Sequence, residues 1–559
     1  MITRKISLLL LTMTSAGVFS VQAAVLPDAG ETSRQLQKQT PPLQIRSNRP
    51  DIQIEEKNAT AQTERDNTLI PVQSFQITGN SLFSSDDLLM LVNDLKGGSY
   101  TLTQLKEGVA RITDFYHKNG YSVARAYLPA QDIQNGQVTI SVLEGRVGQV
   151  HINNQARISN QRAEQYLNGI QPNTFVHSEK LDRALLLLSD NAGIGRARAT
   201  LQPGASVGSS DIMVELQPNN PYSGSVGLDN YGNHYSGQYR LNGQLNVNSP
   251  FRLGDQFNFN VLQSNQDLSY ARAAWQLPVG SDGLTLGAAL AGTHYRLGEE
   301  FANLEANGWA LISSVTATYP FLRTPTTNVF GVFSFESKRL KDNIDSTGTA
   351  NDKDLYQANF GLAGQRLDYI GLGGVTSFDT NISLGKLRIK LPNVLANDQS
   401  TVRTNGYFAR LVATVKRHQQ ISDRHSFSLQ VTGQLASKNL NSSEKFSLGG
   451  ANGVRAYPEG EGLGDEGILA SASWNMRLAK AFQGSVFYDA GVVKINYDPS
   501  SLTGGQENHR SLSGAGVGLD ANIANVQFKS FVAWQVGGGE AKSAPDHNPR
   551  LWTQMTVPF

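Results

Sequence analysis

From about residue 222 to the end of the chain, apolar and polar residues alternate through segment after segment. In one of them Tyr239, Leu241, Gly243, Leu245 and Val247 alternate with Arg240, Asn242, Gln244, Asn246 and Asn248. Successive side chains of a strand point to opposite faces, so such a segment has one apolar face and one wet face. The same parity runs through Phe257/Phe259/Val261, Ala271/Ala273/Trp275/Leu277 and Phe427/Leu429/Val431/Leu435. Segments of roughly ten residues with this pattern, separated by turns, are the mark of an outer-membrane barrel with a polar lumen. The fold class expected for 218–559 is therefore an all-β transmembrane barrel of about 16 antiparallel strands. Its connections alternate short and long. Short ones include Ser249–Asp255 and Ile421–Arg424; long ones include Leu340–Lys353, Pro392–Ser400, Asn439–Glu466, Lys494–Arg510 and Gly537–Asn548.

Helical periodicity appears only upstream. Val72–Thr78 reads as a strand, Ser84/Ser85 cap a helix, and Leu105, Val109, Ile112 and Tyr116 share one face of a second helix that Gly120 stops. Strands Val123–Leu128 and Gln137–Leu143 complete a β-α-α-β-β order. The order recurs with Val147–Ile152, helices at Ser159–Leu167 and Ser178–Asn191, and strands Ala197–Leu201 and Asp211–Leu216. Two such repeats, 71–146 and 147–217, predict a pair of small α/β modules.

The amino terminus carries other signals. Arg4 and Lys5 precede a mostly apolar run from Ile6 to Phe19, and Val21-Gln22-Ala23 offers small residues before a cut. Residues 1–23 thus read as a secretory signal peptide, too short for a membrane span. Residues 24–70 are polar, with Pro27, Pro41, Pro42 and Pro50. Glu31–Gln39 contains good helix formers and ends at Pro41-Pro42, although a disordered tail fits the composition as well. The remainder, 41–70, reads as a flexible linker.

Composition narrows the chemistry. The 559 residues include no Cys, which excludes thiol catalysis and Cys-based metal sites. Loss of Arg4 and Lys5 turns the formal charge of +1 into −1, a balance that argues against nucleic acid as a partner. Gly204-Ala205-Ser206-Val207-Gly208 satisfies G-x-S-x-G, but it lies between two strands rather than at a strand-to-helix elbow. The histidines show no metal-ligand spacing and no glycine-rich loop leads to Lys-Ser/Thr, so no cofactor, metal or catalytic residue is expected.

The long connection holds the densest pattern. Ser447 to Tyr457 (SLGGANGVRAY) leads into Pro458-Glu459-Gly460-Glu461-Gly462, with one Arg at the tip. Downstream, Val486, Tyr488, Ala490 and Val492 share an apolar face, so parity turns Phe487, Asp489 and Gly491 towards the lumen. From spacing alone, Arg455 is either a solvated surface residue or the partner of a lumenal Asp489.

Here the sequence resembles a known family, the outer-membrane transporters of two-partner secretion, relatives of the barrel-assembly insertases. The resemblance spans nearly the whole mature chain. It rests on the tip Val454, Arg455, Ala456 and Tyr457, the strand Phe487, Asp489 and Gly491, the two modules and the amino-terminal helix and linker. It implies that the modules are POTRA domains and that 24–40 carries a plug helix, over 28–40, resident in the lumen. It also implies that the sixth extracellular loop, 439–466, folds inwards and locks Arg455 against Asp489. The family usually has V-R-G-[FY], so Ala456 would be strained if the tip requires positive φ. The alternating end at Thr553, Met555, Val557 and Phe559 resembles the address read by the barrel-assembly machinery.

The expected function is export of a large secreted partner exoprotein, extended in transit, from periplasm to cell surface. The POTRA modules would capture it by strand addition, unless they are only a rigid spacer, and the barrel would sit in outer-membrane lipid. The client class, whether adhesin, haemolysin or contact-dependent toxin, stays open. An outer-membrane insertase acting as a chaperone is the alternative; a passive porin leaves the modules unexplained, and an enzyme lacks a nucleophile.

Overall fold

The computed structural model describes residues 26–37, 51–54, 68–500 and 507–559. The expected signal peptide, 1–23, lies outside the described residues, as does most of the 41–70 linker. What is described there is helix α1 (Ala29–Gln37) and a short strand, β1 (Asp51–Ile54).

The first module contains β2 (Ser74–Thr78), α2 (Ser85–Met90), α3 (Leu102–Lys118), β3 (Arg125–Tyr127) and β4 (Gln137–Leu143). The second contains β5 (Arg146–Asn154), α4 (Asn160–Leu167), α5 (Ser178–Asp190), β6 (Ile194–Pro203) and β7 (Ser209–Pro218). In both, the first strand runs parallel to the last, and the middle strand runs antiparallel to it. The repeat in element order is thus a repeat in topology. Local chemistry starts the helices. The Ser84 hydroxyl accepts from the Asp87 amide at 3.1 Å, and Thr101 with Gln104 forms a capping box. Leu105, Val109, Ile112 and Tyr116 then close one core with Val138 and Ile140, while Leu181, Leu185 and Leu188 close the other with Ile212 and Val214.

The linker expectation needs correction at one point. Asp51–Ile54 adds to the edge of β6 as a parallel strand. Ile52 packs on the second module's core, and Asp51 meets Arg198 at 2.8 Å and Arg196 at 2.5 Å. An unpaired sheet edge is a template for whatever strand lies near, and a tethered one is always near.

Sixteen antiparallel strands, from Tyr222–Asp229 to Arg550–Pro558, form the closed barrel expected from the alternation. Leu241, Val261, Leu290, Phe333 and Val486 face outwards, whereas Arg240, Lys338, Gln357 and Asp489 are buried inside. No described helix is long and apolar enough to cross a membrane. The closing seam pairs only Ser225–Asp229 with Gln554–Pro558, and Gly224 and Phe559 add two backbone hydrogen bonds at 3.0 and 2.9 Å. The Leu340–Lys353 loop is not observed as such. Strands Thr327–Ile344 and Thr349–Asp368 run on through it, leaving 345–348 between them. Beyond the lipid both faces of a strand are wet, so the ladder continues after the alternation has faded.

The second module is tied to the barrel. Arg323, at a barrel turn, donates to both carboxylate oxygens of Asp190 in α5 at 2.9 and 2.7 Å.

Candidate functional site

Loop 439–466 folds into the lumen. Its tip is set by backbone bonds within the loop: the Val454 amide donates to the Leu448 carbonyl at 2.7 Å, and the Tyr457 amide to the Val454 carbonyl at 3.0 Å. These present Arg455 to the strand Phe482–Lys494. The guanidinium donates to Asp489 through Nε at 2.8 Å and Nη2 at 2.7 Å, and the Arg455 amide adds a third bond at 3.1 Å. Asp489 is fully buried and Arg455 is 9% exposed. Charge-assisted bidentate pairs are the strong class of hydrogen bond, and burial removes competing water.

The pair has further support. Ser471 donates to Asp489 at 2.6 Å and accepts from Arg455 Nη2 at 3.2 Å. Phe487 lies under the guanidinium, with Cζ 3.4 Å from the ring centroid, and Phe531 stands 5.0 Å away. Trp552, on the last strand, donates to the Arg455 carbonyl at 2.7 Å. The Tyr457 hydroxyl lies 2.9 and 2.8 Å from the carbonyls of Gly537 and Gly539. Gly516 leaves room for the Phe487 ring and Gly514 for Ala456, since a Cβ at either position would collide with that neighbour. Gly491 admits Leu448 in the same way. Ala456 is buried and is not among the positive-φ residues, so alanine fits the tip without strain.

Val454, Arg455, Ala456, Tyr457, Phe487, Asp489 and Gly491 are therefore brought together. Ser471, Phe531, Trp552, Gly514 and Gly516 complete the group and were not legible in the sequence. They come from four other strands and meet the loop only when the barrel closes. The only local signal was their lumen-facing parity.

Other ion pairs hold the rest of the loop. Glu444 meets Lys338 at 2.7 Å and Arg410 at 2.9 Å, and Asp465 meets Lys445 at 2.6 Å. Glu461 accepts from Arg510 at 2.8 Å and from the amides of Lys542 and Ser543, both at 2.8 Å.

Helix α1 shares the bore. Ala29 and Leu36 pack among the inward residues Leu262, Tyr270, Tyr295 and Ile312. The Ala29 amide donates to Asp342 at 2.7 Å, and Ser442 of the long loop donates to Asp28 at 2.6 Å. The helix is otherwise poorly matched. Arg34 is buried, yet Nε, Nη1 and Nη2 find no hydrogen-bond partner among the described residues. Burial pushes the Glu31 carboxyl up from 4.5 to about 7, against the pull of Arg34.

Phe559 is exposed at the seam, beside Gly224. The G-x-S-x-G segment forms the loop between β6 and β7, with Val207 fully in solvent. Among the described residues no group of His, Asp and Glu is arranged to hold a metal ion.

Residues 208–521 match the family model described as haemolysin secretion/activation protein ShlB/FhaC/HecB, and 70–145 match the ShlB-type POTRA domain. The chain is 28% identical over 549 residues to the heme/hemopexin transporter protein HuxB of Haemophilus influenzae, covering 97% of this chain and 96% of the relative. It is 22% identical to the outer membrane transporter CdiB of Dickeya dadantii over 78% of this chain and 77% of that one. Among solved structures, CdiB from Escherichia coli superposes with a TM-score of 0.71 at 18% identity, covering 96% of this chain and all of the other.

Proposed function

Because the chain belongs to the haemolysin secretion/activation family of ShlB, FhaC and HecB, we propose that it exports one large partner exoprotein through a bore gated by helix α1. The family's members are outer-membrane transporters rather than enzymes, with the barrel in the outer membrane and the POTRA modules in the periplasm.

The observation that carries the gating reading is the difference in how two lumenal elements are held. The long loop is bound to the wall by Arg455 and Asp489, whereas α1 carries a buried Arg34 with no hydrogen-bond partner among the described residues. An emptied channel of this strand number is wide enough to be aqueous. On this reading α1 is a plug that leaves, and Val454 to Tyr457 with Phe487, Asp489 and Gly491 form a lock that stays. The client passes as an extended chain, and folding outside makes transfer irreversible. The modules capture it by strand addition. β1 supports this, since the second module's sheet accepts it as a parallel strand at β6. Phe559 is assigned as the signal read by the barrel-assembly machinery. The domain limits proposed are signal peptide to 23, plug to 40, linker to 70, POTRA modules to 146 and 217, then barrel.

The insertase reading retains one supporting observation, the short seam at Ser225–Asp229. One double variant separates the two. A Cβ on Gly30 would collide with Ser442 Oγ and press on the Ser443 amide, so the two positions are in direct contact and a disulfide between them needs a small shift of α1; the chain has no other Cys. Gly30→Cys with Ser442→Cys should secrete the partner only when reduced, without loss of other outer-membrane proteins. Secretion that persists under oxidation would sink the plug, and general loss of outer-membrane proteins would favour the insertase.

A further inference from the structure

On the lipid side of the barrel, on the outer face of strands whose inner face seats α1, the wall carries a groove of about 710 Å³ lined by Leu241, Val261, Gly292, Trp309 and Leu311 among others. Its floor follows one register row: Gly243 pairs with Val261, Val261 with Ala271, Ala271 with Gly292, and Gly292 with Leu311. Leu241, Val261 and Leu290 fix the outward parity of these strands by their exposure. A Cβ on Gly292 would meet nothing within 4 Å. No neighbour demands glycine there, so its effect is to deepen the groove.

One end of the groove is cationic. The floor row continues from Leu311 to Arg339, and the adjacent row runs from His294 through Trp309 to Lys341. Arg296 lies two residues beyond His294 on the same outward face. Opposite Lys341 and Arg339 stand Asp352 and Asp354, but both acids are held by Lys390 at 3.1 and 2.9 Å. Arg296, Arg339 and Lys341 have no ion pair or side-chain hydrogen bond with any described residue. This end lies away from the POTRA modules, hence at the outer leaflet. Trp309 marks interface height, as aromatic girdles of such barrels do.

We propose that the groove binds lipid A, the phosphorylated and acylated glucosamine disaccharide of the outer leaflet. Arg296, Arg339 and Lys341 take a phosphate, and one acyl chain lies along the row from Leu311 to Gly243. Charge and position select this occupant together. Arginine pairs with phosphate bidentately, lysine as a point charge, and a chain lying in the groove gains packing contacts that a smooth wall does not offer. An inner-leaflet phospholipid would present its headgroup at the opposite end.

The test is native mass spectrometry of the full-length detergent-solubilised protein titrated with purified lipid A. The wild type should retain one equivalent. Gly292→Leu, which fills open space, should lower retention about tenfold by removing the chain's packing contacts there. Arg339→Ala with Lys341→Ala should lower it at least as much, and should also abolish any preference over dephosphorylated lipid A. Ala288→Leu, on the same outward face outside the groove, should bind as wild type, and heat-modifiable migration reports that each barrel is folded. No retained lipid A in the wild type, or retention equal to the wild type's in both groove variants, would overturn the site.

Discussion

Arg455 and Arg34 are both arginines buried inside one barrel, and they are treated in opposite ways. Arg455 is gripped by Asp489, Ser471 and Phe487, and none of its nitrogens is buried without a partner. Arg34 is as well buried, and its three nitrogens find no hydrogen-bond partner among the described residues, although Glu31, Glu459, Asp28 and Glu444 act on its charge. A buried, satisfied ion pair is a poor source of net stability but a strong fixer of position. An unsatisfied one is a standing cost of about 1–3 kcal/mol or more, recovered when the group returns to water. On the proposed reading, the difference separates a loop built into the wall from a helix that leaves it.

The largest test removes one half of the satisfied pair. Asp489→Ala strands the Arg455 charge in a dry site, at a cost of about 3–5 kcal/mol. We expect loop 439–466 to become protease-sensitive and secretion to fall steeply. Normal secretion by both Asp489→Ala and Arg455→Ala would remove the lock from the mechanism.

The next concerns Glu31. Its docked carboxyl titrates near 7 because of burial, whereas the released helix should show about 4.5. The docked state therefore holds the extra proton between those values. Docking is strongest below about 4.5 and weakens as pH rises to about 7, by at most about 3 kcal/mol. Arg34, Asp28 and Glu459 are the charged neighbours that share this field. Channel openings of the reconstituted protein should become rarer from pH 8 to pH 5, and Glu31→Gln should flatten the dependence.

Arg34→Met then asks whether the buried guanidinium, without hydrogen-bond partners among the described residues, is the weakness. Replacing it with an apolar chain of similar length should tighten docking by about 1–3 kcal/mol and lower basal conductance. A variant that opens the channel would mean Arg34 holds the helix rather than loosening it.

How legible these regions were in the sequence follows from range. The barrel could be read because each strand repeats its own evidence: Leu241 against Arg240, Val486 against Phe487. The signal failed where lipid ends, at Leu340–Lys353, and where a strand is only four residues long, at Asp51–Ile54. Arg455 and Asp489 were found through a family pattern joined to parity, since spacing alone left Arg455 undecided. The orphaned state of Arg34 has no sequence signature, because it is set by what distant strands fail to supply.

Ser471 supplies the finest test of the same contrast. Its hydroxyl bridges the pair, donating to Asp489 and accepting from Arg455, but it brings no charge of its own. Ser471→Ala leaves the two Arg455–Asp489 side-chain bonds and the Phe487 stack intact, so the change should be limited to about 1 kcal/mol. The measurement is the thermal midpoint of loop protection from protease, compared with Asp489→Ala in the same detergent. A loss as large as that of Asp489→Ala would mean the bidentate pair needs its third member to hold geometry. The lock would then be a network whose energy cannot be divided among its bonds. A small loss would instead place the fixing power in the hydrogen-bonded charged pair alone, a feature that Arg34 lacks among the described residues.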